Sequence, residues 1–280
     1  MIQVLSGFAI IWAIILIGYF IGRTSVLGDN AQVVLSRMAF FVASPALLFQ
    51  TLASADIKEL LGPQVVVAAL SAFAVVGIYF GVASISLKSR KPGELVIGAL
   101  SSSMVNSANL GIPIATYVLG SASYAAPILM FQLALYTPIY VTALDTITGE
   151  HMRGHHQGVG DARVRPRWYV TMWRILLQIL RNPLIIGSFA GMLFSWQQWD
   201  IPAVLNEPVT LIAGAAVPCM LIAFGLSLVG SKPLQKSAGR RIDVGIATVL
   251  KLVVQPVIAF VIAITIFGMD GHALLAAVVM

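Results

Sequence analysis

The residues with the most chemistry to offer are crowded into the stretch Val105-Asn106-Ser107-Ala108-Asn109-Leu110-Gly111-Ile112-Pro113, inside an apolar run from Leu95 to Leu119. Asn106, Ser107 and Asn109 carry amide and hydroxyl groups that both donate and accept hydrogen bonds. Pro113 has no N–H, so the carbonyl of Asn109 loses its helical partner. Gly111 lets the backbone leave helical geometry at little steric cost. A half-helix restarting near Pro113 would present free N–H groups and the positive end of its dipole, both of which favour an anion. The chemistry implied is binding: a carboxylate held by polar side chains and unwound backbone. Asn106, Ser107 and Asn109 are the candidate substrate contacts, with Gly111 and Pro113 shaping the same site; repair of a kinked helix is the plainer role for all five.

Other positions could serve the same end. Gln132 and Tyr136 lie four apart, on one face of a helix, and either line the cavity or bond neighbouring helices. Pro45 and Pro218 would kink two further spans, as packing or cavity-shaping residues. Arg37 and Lys251 are the cations deepest in apolar runs, placed either to snorkel or to attract an anion. Acidic residues lie only in loops or near span ends, so no mid-span carboxylate pair for ion exchange is visible. His151, His155 and His156 have no neighbouring Cys to complete a ligand set, and no metal or other cofactor is expected.

The elements that must position these residues are membrane spans. The chain is 59% hydrophobic and 10% charged, against about 25% charged in ordinary globular domains, and its mean hydropathy is +0.92. Runs at Ile2–Gly22, Ala31–Leu52, Val65–Leu87, Tyr124–Leu144, Val209–Val229 and Val244–Phe267 each approach the ~20 residues that cross a bilayer. The broken run and Thr171–Trp196 bring the expectation to eight spans. A ninth starts near His272 and reaches the last residue, Met280, about halfway through a membrane, which reads as a truncated span. No cleavable signal peptide precedes the first span. The single cysteine, Cys219, permits no intramolecular disulfide.

Net charge is +6, but its distribution argues for a membrane and against nucleic acid. With the N-terminus outside, loops assigned to the cytoplasm hold Arg23, then Lys88, Arg90 and Lys91, then Arg153, Arg163, Arg165 and Arg167, then Lys232, Lys236, Arg240 and Arg241; outside loops hold only Lys58. This asymmetry sets the expected orientation in a plasma (inner) membrane, with the 146–170 loop cytoplasmic.

Three pairs of segments match at nearly constant spacing. Leu16-Ile17-Gly18-Tyr19-Phe20-Ile21-Gly22 matches Ile185-Ile186-Gly187-Ser188-Phe189-Ala190-Gly191, and Ser44-Pro45-Ala46-Leu47-Leu48 matches Val217-Pro218-Cys219-Met220-Leu221. Gly93-Glu94-Leu95-Val96-Ile97-Gly98-Ala99 matches Gly271-His272-Ala273-Leu274-Leu275-Ala276-Ala277. Five spans per copy make the repeat inverted. The expected organisation is a first five-helix repeat at 1–145, a cytoplasmic linker at 146–170 and a second repeat at 171–280, truncated in its fourth helix. Gly18/Gly22 and Gly187/Gly191 read as helix-packing pairs.

The segment Asn106-Ser107-x-x-Leu110-Gly111-Ile112-Pro113 resembles the N-[TS]-x-x-[LM]-G-I-P signature of the auxin efflux carrier family. Further echoes are Ser44-Pro45-Ala46-Leu47-Leu48-Phe49, Arg181-Asn182-Pro183-Leu184-Ile185-Ile186 and Leu250-Lys251-Leu252-Val253-Val254-Gln255-Pro256. The sequence departs from the family at Val105, usually Gly or Pro, and at Ala108 and Asn109, often Gly and an aromatic residue. The resemblance implies an all-α membrane protein with an inverted 5+5 repeat. Its helices 4 and 9 would be broken and crossing, as in bile-acid symporters and sodium/proton antiporters. It also implies carriage of a small organic anion, such as a dicarboxylate or an auxin-like carboxylate, by alternating access. The expected partners are that anion and the lipid bilayer, with a homodimer left open. Enzyme signatures such as H-E-x-x-H or mid-span Asp pairs are absent; a non-transporting membrane scaffold or receptor is the alternative.

Overall fold

The structure is a computed structural model that describes residues 2–24, 26–54, 62–87, 89–144, 179–231 and 240–279, together with 147, 173, 176 and 177. His151, His155 and His156, and the loop charges Lys58, Lys88, Arg153, Arg163, Arg165, Arg167, Lys232 and Lys236, lie outside the described residues. Among the described residues there is no strand. The helices are α1 (Ile2–Thr24), α2 (Ala31–Ala53), α3 (Gln64–Ser86), α4 (Pro92–Tyr117), α5 (Ala122–Leu144), α6 (Pro183–Trp196), α7 (Ala203–Leu228), α8 (Arg241–Thr265) and α9 (Gly271–Val279). Seven of them, all but α6 and α9, are long and apolar enough to cross a membrane. Their outward faces carry exposed Trp12, Phe20, Phe41, Leu211 and Leu252, a pattern suited to hydrocarbon and costly in water.

Hydropathy predicts one run across Thr171–Trp196, yet the helix starts afresh at Pro183 after a turn at Arg181. The reason is local. Proline disfavours helical geometry in the residue before it, so Asn182 is extended, and its side-chain oxygen caps the new helix by accepting from the Leu184 N–H at 3.0 Å.

Four prolines leave a common mark. In α2, α4, α5 and α8 the residue just before a proline donates its N–H five residues back instead of four: Ser44 to Ala39, Ile112 to Ser107, Thr137 to Gln132, and Gln255 to Leu250. Each of Pro45, Pro113, Pro138 and Pro256 therefore follows one π turn. A proline ring collides with the carbonyl four residues back, and widening the preceding turn relieves that collision without unwinding the helix. Pro218, paired with Pro45 in the expected repeat, is accommodated differently, in the first turn of a helical segment that restarts after Ala215.

Among the described residues three apolar clusters organise the bundle. One gathers α1, α2, α6 and α7 with the second half of α4, the start of α5 and Ala276 of α9; a second gathers α3, the first half of α4, the rest of α5 and α8; a third joins Val67, Ala259, Ala263, Met269 and Ala277 from α3, α8 and α9. α4 is thus shared between the first two. The most extensive helix contacts are α1 on α7 and α2 on α6. Both rest on glycine: a methyl group at Gly18 would sit 2.5 Å from the Ile222 carbonyl oxygen, and one at Gly187 would sit 2.5 Å from that of Pro45. Backbones so close gain dispersion and leave no room for lipid between them.

Candidate functional site

The site is built around the interruption in α4. Its first half, Pro92–Ser103, opens with Glu94 accepting from the Lys91 N–H at 3.2 Å. It closes at Met104, which is extended (φ −84, ψ 118). Asn106 is also non-helical (φ −86, ψ 61) and caps the π turn Ser107–Gly111 by accepting from the Asn109 N–H at 3.3 Å. The helix then resumes at Ile112–Tyr117.

Unwound backbone inside a membrane protein needs substitute partners. Two glutamines supply them from different helices. Gln132, at the start of the α5 π turn, donates its amide to the Val105 carbonyl at 3.1 Å. Gln255, just after the α8 π turn, donates to the Ser103 carbonyl at 3.0 Å. Both are nearly enclosed, at 5% and 7% exposure. The Ser103 hydroxyl donates to the Ala99 carbonyl at 2.6 Å and is bonded to the Tyr136 hydroxyl, which contacts that of Tyr140. Among the described residues three buried side-chain oxygens have no partner: Ser107 Oγ, Thr137 Oγ1 and Gln255 Oε1.

A cavity of about 270 Å³ opens beside this stretch, between α3, α4, α5, α8 and the last turn of α9. Asn106, Ser107, Gly111, Gln132, Tyr136 and Lys251 line it. Other predicted positions do not. Asn109 is exposed and tied to Asn106 through its backbone, and Pro113 is buried against the α1–α7 cluster. Pro45 and Pro218 belong to helix contacts elsewhere, and Arg37 lies exposed on α2. Sequence reasoning missed Gln255 and Ser103 as site residues. The available signal was an amide at mid-span beside Pro256, the same pairing of polar residue and proline that singled out α4.

At the Arg90 end of the bundle, two ion pairs tie the starts of α4 and α8. Arg90 donates to both carboxylate oxygens of Asp243, at 3.1 and 2.6 Å, and Arg240 donates to Glu94 at 2.6 Å. The Asp243 hydrogen bond raises the Arg90 guanidinium further above its ordinary range. Among the described residues no group of His, Cys, Asp and Glu is arranged to hold a metal.

Apolar spans folded around a cavity with a few polar groups, beside an interrupted helix, suit a multi-pass membrane transporter. Residues 4–280 match the family model described as membrane transport protein, and the chain belongs to this family, that of the auxin efflux carriers. It is 22% identical over 251 residues to a Rhizobium meliloti protein described as "Putative malonate transporter", covering 89% of this chain and 73% of that protein. An uncharacterized transporter of Methanothermobacter thermautotrophicus is 25% identical over 252 residues, 88% of this chain and 74% of its own. Another, from Methanocaldococcus jannaschii, is 25% identical over 276 residues, covering 95% and 82%.

Proposed function

We propose that the protein is a secondary carrier of a small organic anion, a compact dicarboxylate or an auxin-like carboxylate, working by alternating access. The observation that carries this reading is the cavity at Met104–Asn106. It offers a cation at Lys251, amides at Asn106, Gln132 and Gln255, and hydroxyls at Ser103 and Tyr136, with no carboxylate among its described lining residues. Such a lining favours an anion, and the cavity volume is enough for a small organic ligand. The relative described as a malonate transporter adds weight to a short dicarboxylate.

The inverted repeat belongs to the same proposal. If α1 and α2 open one copy and α6 and α7 the other, the first helix of each copy packs on the second helix of its counterpart through a matching glycine pair. A two-fold axis in the membrane plane generates that exchange. The approach of α9 to the cavity agrees with a counterpart of α4 crossing there. On this reading α1, α2, α6 and α7 form a frame, the cavity-bearing helices move against it, and the N-terminus faces outside. Purified full-length protein in liposomes, assayed with malate, malonate and indole-3-acetate, tests the proposal. Uptake of at least one is expected; a folded protein that moves none of them removes it.

A further inference from the structure

The cavity lining is mixed. Lys251 and Gln255 lie a turn apart on α8, and Gln132 and Tyr136 a turn apart on α5. Ala68 and Ala72 of α3, Phe131 of α5 and Ala277 and Val279 of α9 add apolar surface. Lys251 is the one charged side chain among the described lining residues, and it makes no ion pair within them. Among the described residues, the other charged groups on or beside the helices packed around it are Arg90, Lys91, Glu94, Arg240, Arg241, Asp243 and Asp270, all at or near helix ends. Arg90 pairs with Asp243 and Glu94 with Arg240 at the starts of α4 and α8, and Asp270 lies exposed at the far end, before α9. The tyrosines nearby, Tyr79, Tyr136 and Tyr140, are uncharged at neutral pH.

We propose that the carrier takes its cargo as a monoanion, with one ionised carboxylate against Lys251 and a neutral, compact remainder against the apolar part of the lining. The proposal rests on the carrier reading above and narrows it. A cation and one carboxylate leave the occupied cavity neutral. A dianion would leave one charge uncompensated in a low-dielectric site, which is strongly disfavoured. A dicarboxylate such as malonate therefore enters singly protonated, its neutral carboxyl donating a hydrogen bond in place of a second ion pair. Short monocarboxylates of similar size become competitors.

The experiment is uptake of labelled malonate by full-length protein in liposomes between about pH 6 and pH 8, with propionate as competitor. Above the second ionisation of malonate, its apparent KM is expected to rise about tenfold per pH unit, following the hydrogen-malonate fraction. The inhibition constant of propionate, ionised throughout, should stay flat. Lys251→Arg should keep this pattern, and Lys251→Met should lose binding of both anions while eluting as a folded monodisperse species. A malonate KM independent of pH overturns the monoanion proposal and leaves the carrier reading intact, as does full binding in Lys251→Met. Failure to move any anion at any pH removes both.

Discussion

At the scale of single residues, the two glutamines are the informative pair. Each gives one N–H to an unwound α4 carbonyl, but their other atoms differ. Gln255 also buries an oxygen with no partner, whereas the Gln132 oxygen is not in that position. Removing a donor to a buried carbonyl costs about 1–3 kcal/mol. Gln132→Leu should show that cost in full. Gln255→Leu should be milder, because the same change deletes an unsatisfied oxygen. Thermal unfolding in detergent measures the difference; a larger loss for Gln255→Leu would contradict the bonding described. Both variants should lose anion uptake, since both release the backbone that shapes the cavity. The polar stretch in α4 was legible in the sequence because Asn, Ser and Gly are conspicuous in an apolar run. Gln255 was not, because a lone mid-span amide acquires meaning only from its partner, and the Ser103 carbonyl it holds lies 152 residues away.

At the scale of elements, proline position proved readable and its consequence did not. Pro45 and Pro113 announce breaks, yet the backbone answers with a widened turn that keeps each helix continuous through the proline. That answer depends on which carbonyl the preceding N–H reaches, a choice no periodicity records. The sixth span shows the opposite case. Asn182-Pro183 is a strong start signal, but continuous apolarity on both sides hid it. Restoring an N–H tests the role of a π turn directly. In Pro256→Ala the new N–H can reach the Leu252 carbonyl, and the gain of one hydrogen bond is offset by a more flexible unfolded chain. Stability should stay within about 1 kcal/mol of the parent. Closing the π turn would rotate Lys251 and the residues before it relative to Gln255, so uptake should fall well below the parent rate. Parental uptake in a folded Pro256→Ala protein would show that the widened turn has no part in transport.

At the scale of the whole molecule, most spans were legible because a bilayer admits few solutions: apolar length fixes crossing. The pairing of α1 with α7 and α2 with α6 was not, since glycine pairs mark a contact surface without naming its partner. Orientation can be tested with unusual economy, because the chain has a single cysteine. In a Cys219→Ser background, a cysteine at exposed Val26, in the turn after α1, should react with a membrane-impermeant maleimide only from the cytoplasmic side. One at exposed Trp199, after α6, should react only from outside. The reverse pattern would invert the proposed topology.

The carbonyls of Ser103 and Val105 carry a consequence of a different kind. Each answers to one side-chain amide in place of a helical N–H, so its stretching vibration should stand apart from the helical band that dominates a protein of this composition. Isotopic labelling at Val105 would move that oscillator into a clear window of the infrared spectrum. An anion that draws Gln132 away from the backbone would then announce its arrival as a frequency shift at a single bond, read in the membrane without a transport assay.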